Sequence, residues 1–292
     1  MTSSISSELA PQAEDQRVRK IVQRIDGGRL SLHRWLPEQP RLVVFHVHGL
    51  QSHAGWSWEL ASALARRGVA FIALDRAGSG LSEGPRDRFP DADGVVRDHR
   101  DVLVRVRAEN PGLPVVTIGH CLGGSILTAT LASHPELAEE YLDGVVIVSA
   151  WLSRIHRSLP PEQRRDIAGD TSDEPWDAGL RAEDFSGDER YRTFIREDPL
   201  AMRTIARCSR RHLLALEERY QGVDLSGVVP NALFVTSDRD PVIDVTASIA
   251  AFRDVYGADA PVTRLTSAYH YLPFTDAAAS FVDLLATIGD RP

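Results

Sequence analysis

Short runs rich in Val, Ile, Leu and Phe alternate along this chain with longer stretches whose apolar residues recur every third or fourth position. The short runs fall at 42–47, 69–74, 115–118, 145–148, 232–235 and 261–265. Several are apolar at nearly every position, as strands covered by helices on both faces must be. The longer stretches, at 58–67, 91–110, 122–132, 245–256 and 276–288, have helical spacing. In one of them Val95, Val96, Val102, Leu103 and Val106 form the apolar stripe, and another stops at Gly68. Strand and helix alternating in this way predict an α/β protein with a mostly parallel central sheet and helices on both faces. Ahead of it, 21–25 and 30–36 flank Gly27 and Gly28 and predict a hairpin.

The rhythm breaks twice. Residues 75–84 are too rich in turn formers for regular structure. Residues 152–227 are charged, hold the adjacent Pro160 and Pro161, and regain helical spacing only over 199–220. They predict an insertion over the edge of the sheet. The expected organisation is a polar leader at 1–16, a core at 17–151 and 228–292, and a helical cap at 152–227. The leader has no apolar run and is expected to be neither signal peptide nor anchor. No stretch reaches the roughly 20 apolar residues that span a bilayer.

Composition removes several functions. A chain of 292 residues with net charge −8 and scattered basic residues lacks the basic face that nucleic acid requires. Its two cysteines, Cys121 and Cys208, suit a reducing cytoplasm better than a disulfide framework. Its ten histidines are not joined by carboxylates or thiols at ligand spacing, so neither metal nor other cofactor is expected.

The sharpest chemical signal is 115–125, where a β-branched run leads into Gly119-His120-Cys121-Leu122-Gly123 and a small-residue helix start. This is the grammar of a nucleophile elbow, with cysteine where serine usually stands. The turn strains its central residue and requires small neighbours, which Gly119 and Gly123 provide. It also presents the thiol at a helix N-terminus, and such sites, with a nearby histidine, lower a cysteine pKa to about 3.5–7.5. The alternative is a structural cysteine buried in a glycine-rich turn.

From residue 43 to 285 the chain resembles the monoacylglycerol lipase and lysophospholipase-like branch of the α/β-hydrolases. The likeness is carried by His48-Gly49-Leu50-Gln51-Ser52-His53, by the Asp75–Gly84 turn, and by Asp198-Pro199-Leu200, which is similar to a common cap-helix start. The cysteine elbow is instead similar to that of polyhydroxyalkanoate synthases and, more loosely, dienelactone hydrolases. The resemblance implies an α/β-hydrolase fold with a helical cap, and an acid and a histidine after the nucleophile in chain order. It selects Asp240 from a group that includes Asp238 and Asp244; Asp238 would cap the following turn and Asp244 the helix after it. It selects His270 as base and the Leu50 and Leu122 backbone N–H groups as oxyanion donors. His120 is expected to pack, and His48 to shape the oxyanion loop.

These residues together predict a Cys121-His270-Asp240 triad that forms an acyl-enzyme from a small-molecule ester or thioester, including a CoA or carrier-protein thioester. Thiolate leaves a tetrahedral adduct more readily than alkoxide, and thioester intermediates react well with amines. An acyltransferase or cyclase therefore stays open beside a hydrolase, as does a non-catalytic binding protein of the same fold. A serine replaced by cysteine to trap an acyl-enzyme would leave the same sequence.

Overall fold

A computed structural model of the chain describes residues 18–290; the expected leader at 1–16 lies outside them. Eight strands form one sheet: β1 (Val18–Ile25), β2 (Leu30–Pro37), β3 (Leu42–Val47), β4 (Val69–Asp75), β5 (Val115–His120), β6 (Gly144–Val148), β9 (Ala232–Ser237) and β10 (Val262–Leu265). Their spatial order is β1-β2-β4-β3-β5-β6-β9-β10. The hairpin β1–β2 and the β2–β4 pair are antiparallel, and all later pairings are parallel. The hairpin turns where Asp26, Gly27 and Gly28 all take positive φ.

The continuous apolar runs are explained by the two cores they serve. In β3, Val43, Phe45 and Val47 face one core while Leu42 and Val44 face the other. The first is covered by α2 (Ala92–Glu109), α3 (Leu122–Ser133) and α10 (Val245–Tyr256), through residues such as Val95, Ile126 and Phe252. The second is covered by α1 (Trp58–Ala65) and α11 (Ala278–Ala286), through Leu60, Leu64, Phe281 and Leu285. A short helix, α4 (Glu136–Tyr141), joins α3 to β6.

Between β6 and β9 the chain leaves the sheet and forms α5 (Arg154–Ser158), α6 (Pro161–Gly169), α7 (Ala182–Phe185), α8 (Glu189–Glu197), α9 (Arg210–Glu218) and a ribbon of β7 (Pro175–Asp177) with β8 (Thr204–Ala206). Pro161 starts α6 at its first position, where a missing N–H costs nothing.

The helical spacing at 199–220 is realised only in α9. Before it, backbone N–H groups are taken by distant partners: Met202 donates to the Gln51 carbonyl at 2.9 Å and Arg207 to that of Glu174 at 2.9 Å. Nor does Asp198 start a helix. It ends α8, and its carboxylate accepts from the Leu200 N–H at 2.9 Å and the Trp56 indole at 2.6 Å and meets His53 Nε2 at 2.9 Å. Around that contact, Trp56 packs against Phe185, Phe194, Tyr271 and Phe274, stitching the insertion to the sheet.

Candidate active site

The parallel strands end on one edge, and the turn from β5 into α3 carries Cys121 there at φ 55°, ψ −124°. Such a conformation costs a residue with a side chain of order 1–3 kcal/mol. It is held by the Cys121 N–H donating to the Val148 carbonyl at 2.9 Å and by its carbonyl accepting from the Gly124 N–H at 3.0 Å. The glycines make the turn sterically feasible. A Cβ at Gly119 would lie 2.6 Å from the Gly123 carbonyl oxygen, and one at Gly123 would strike that of Val47. Cys121 is half-buried, unlike a core cysteine, and it lines a cavity of about 340 Å³.

The loops after β9 and β10 bring Asp240 and His270 together. Both carboxylate oxygens of Asp240 face His270 Nδ1, at 3.0 and 2.9 Å. Asp240 Oδ1 also accepts from the Val242 N–H at 2.9 Å and the Ile243 N–H at 3.3 Å, which fixes the carboxylate. The opposite ring nitrogen, His270 Nε2, has no hydrogen bond of regular geometry among the described residues.

Charge and burial set the protonation of this group. Burial lowers the His270 pKa, but Asp240 and then Cys121 outweigh it and push it up to about 10. Burial pushes the Cys121 thiol up, yet the nearby charge of His270 and the Leu122 N–H bring it below its ordinary value. Asp240 is also held below the usual carboxylate range: burial opposes this, and His270 and the Val242 N–H prevail. Together these shifts favour a thiolate–imidazolium pair beside a carboxylate.

The other candidates fall into place around it. Asp244 caps α10, accepting from the Ala247 N–H at 2.9 Å. Asp238 does not cap the turn that follows it; it accepts from the Ser267 N–H at 2.9 Å, across the sheet end. His120 is buried against the rings of His270 and Tyr271, at 5.2 and 4.8 Å between centroids. His48 joins two loops: Nε2 accepts from the Arg76 N–H at 3.1 Å, so Nδ1 carries the proton and donates to the Gly49 carbonyl at 2.8 Å. Leu50 and Leu122 both line the cavity beside Cys121, and Gly49 is so close that a Cβ there would meet the Cys121 Cβ at 3.1 Å.

Sequence reading gave no role to Arg76, which is fully buried. Its guanidinium donates to the Gly49 carbonyl at 3.1 Å, the Leu50 carbonyl at 3.2 Å and the Ser79 hydroxyl at 2.9 Å, and lies 5.0 Å from the Phe89 ring centre. Burial lowers its pKa to about 10, against the pull of Asp75 and Cys121. A fixed cation thus pins the 49–50 loop from behind. Its position next to Asp75 was visible in the sequence, but its inward direction depends on how the 75–84 turn folds back.

A parallel sheet with an antiparallel amino-terminal hairpin, an elbow after β5 and an acid–histidine pair after the last two strands is the arrangement of an α/β-hydrolase. The family model described as "Serine aminopeptidase, S33" matches residues 38–276, and the chain belongs to that family. Among curated relatives, human monoglyceride lipase is 31% identical over 150 residues, 51% of this chain and 48% of that protein. The monoacylglycerol lipase of Mycolicibacterium smegmatis is 34% identical over 112 residues, 38% of this chain and 40% of that protein. The chain therefore spans about half the length, or less, of these relatives. Among solved structures, the monoacylglycerol lipase of Paleococcus ferrophilus superposes with a TM-score of 0.72 at 19% identity, covering 89% of this chain and 98% of that one. A soluble variant of monoglyceride lipase from Saccharomyces cerevisiae, in complex with a substrate analog, gives 0.75 at 15% identity, covering 96% and 97%. No helix among the described residues is long and apolar enough to cross a membrane.

Proposed function

We propose that the protein cleaves a small-molecule ester or thioester through an acyl-enzyme on Cys121, with His270 as base and Asp240 as the group that orients it. The observation that carries this reading is the bidentate approach of Asp240 to His270 Nδ1, at 2.9 and 3.0 Å, with the opposite nitrogen without a hydrogen-bond partner among the described residues and the strained Cys121 close enough for the two charges to act on each other. The monoglyceride lipases among the relatives supply the ester precedent.

In this reaction His270 holds the proton released by the Cys121 thiol. The thiolate attacks the substrate carbonyl carbon, and the oxygen takes up negative charge between the Leu50 and Leu122 N–H groups. Each such donor contributes about 3 kcal/mol to the transition state. Among the described residues neither N–H donates to a backbone carbonyl in a turn or loop, and that of Leu122 is directed at the Cys121 sulfur, beside which the oxyanion would form. Collapse of the adduct breaks the carbonyl–heteroatom bond, and His270 returns its proton to the departing alcohol or thiol. Water, deprotonated by His270, then attacks the thioester and frees the acid.

Sulfur at the elbow favours activated acyl donors, because a thiolate is expelled more easily than an alkoxide from an ester adduct. An acyltransferase using the same three residues is the second reading, favoured by that same sulfur. Turnover of p-nitrophenyl acetate and of an acyl-CoA, followed by intact-protein mass spectrometry, separates the two. Rapid discharge of the adduct in plain buffer is the hydrolase outcome; an adduct discharged only by added amine or alcohol is the transferase outcome. Normal labelling of Cys121→Ala would refute the nucleophile assignment.

A further inference from the structure

The cavity beside Cys121 is largely apolar, yet two arginines line it, the exposed Arg154 and the half-buried Arg210, that have no ion pair among the described residues. Arg154 lines it from the start of α5, 4.7 Å from the Trp151 ring centre. Arg210 lines it from the start of α9, 5.1 Å from the Trp176 ring centre. Both tryptophans also line the cavity. Among the described residues neither arginine makes an ion pair, whereas Arg157, Arg181, Arg196 and Arg207 of the same insertion each meet a carboxylate.

The cavity's own carboxylate, Glu217, is already engaged. Its Oε1 accepts from the Ile155 N–H at 3.1 Å, and its Oε2 accepts from the His156 N–H at 3.1 Å and meets His156 Nδ1 at 2.9 Å. Arg210 is partly buried, and both that burial and neighbouring Arg207 disfavour its charge, while Asp170 favours it. A guanidinium laid over an indole is held by its face and keeps its edge N–H donors free, an arrangement suited to a planar or tetrahedral oxyanion. An apolar ester would leave both groups unused in a cavity otherwise built for hydrocarbon.

We propose that the cavity takes an acyl substrate that carries an anionic group, carboxylate or phosphate, away from the reacting carbonyl, and that Arg154 and Arg210 clamp that anion. The inference rests on the reading of Cys121 as the acylated residue, and it sets the substrate class for that reaction.

Chain-matched N-acetylcysteamine thioesters provide the test: hexanoyl against adipoyl and octanoyl against suberoyl, which differ only by a terminal carboxylate. Hexanoyl-pantetheine against its 4′-phosphate tests an anion on the leaving group. In one of these arms the anionic substrate is expected to exceed its neutral match in kcat/KM by about tenfold or more, and the arm that responds identifies the source of the anion. The ratio is expected to contract at 0.5 M salt and to fall towards one in Arg154→Gln/Arg210→Gln; because it is taken on a single sample, loss of folded enzyme does not alter it. A ratio near one in every arm of the native protein, or a ratio kept in the double variant, would overturn the proposal. Calorimetric binding of the same pairs to Cys121→Ala keeps the two readings apart. Charged preference without any acylation of the native protein would remove the nucleophile assignment alone, whereas equal binding of charged and neutral ligands would remove this one.

Discussion

Replacing Asp240 by asparagine tests how the proton is held at the site. Asp240 Oδ1 accepts from the Val242 and Ile243 N–H groups at 2.9 and 3.3 Å, so an asparagine would keep its carbonyl there. Its amide would then stand where Oδ2 now faces His270 Nδ1 at 2.9 Å. Two donors cannot face each other, so the imidazole would move its proton to Nε2 and point it at the sulfur. The base would be lost without a change in shape. The charge effect acts in the same direction. Asp240 is the largest influence raising His270 to about 10, and the unperturbed value is 6.5. Each pKa unit lost from that shift costs the imidazolium about 1.4 kcal/mol, a factor of about ten in ion-pair population. Alkylation of Cys121 by iodoacetamide between pH 6 and 7 reads this population directly. The native protein is expected to react fast in this range, and Asp240→Asn to be slower by two to three orders of magnitude, its rate rising only as the pH approaches that of an ordinary thiol. Equal rates at pH 6.5 would refute the argument.

Arg76→Gln removes the fork that holds the Gly49 and Leu50 carbonyls, and kcat for thioester cleavage is expected to fall ten- to a hundredfold with KM little changed; an unaltered kcat would deny Arg76 its part in placing the loop. Asp198→Ala leaves the Trp56 indole and His53 without their buried acceptor, a loss of about 3 kcal/mol, readable as a lower midpoint in thermal melts. The pH sign follows from the direction of the Asp198 shift: burial raises its pKa, but His53, Trp56 and the Leu200 N–H hold it below the ordinary 3.8. Its stabilisation is therefore present above about pH 4 and is lost as the pH falls below that through the folded-state value. Native protein should lose stability more steeply than Asp198→Asn between pH 5 and 3, and parallel curves would contradict this.

The sheet was legible because burial on both faces writes itself as uninterrupted apolar runs, and Cys121 because only glycines at 119 and 123 permit its turn. Asp240 and His270 were legible through chain order and resemblance, not through local pattern; Asp238 leaves the same strand end but is exposed and reaches the Ser267 N–H, whereas Asp240 turns inward to His270. The insertion was largely opaque. Its α9 carries the helical spacing, but residues 199–209 are bonded to Gln51, Asp87 and Glu174, far away in sequence. Arg76, Arg154 and Arg210 were unreadable for a related reason. A guanidinium is defined by what surrounds it: Phe89 and Trp176 lie well away in sequence from Arg76 and Arg210, and Trp151, though close to Arg154 in sequence, meets it only through the turn into α5. Of the arginines in the run 203–211, only Arg210 lines the cavity.

The central claim is that sulfur at position 121 carries the acyl group. Acid quench of the protein during turnover of an acyl-CoA, followed by proteolysis and peptide mass spectrometry, should find the acyl mass on the peptide containing Cys121, labile to hydroxylamine as a thioester is. Acyl mass on another residue, or turnover that continues at the native rate in Cys121→Ala, would contradict the account.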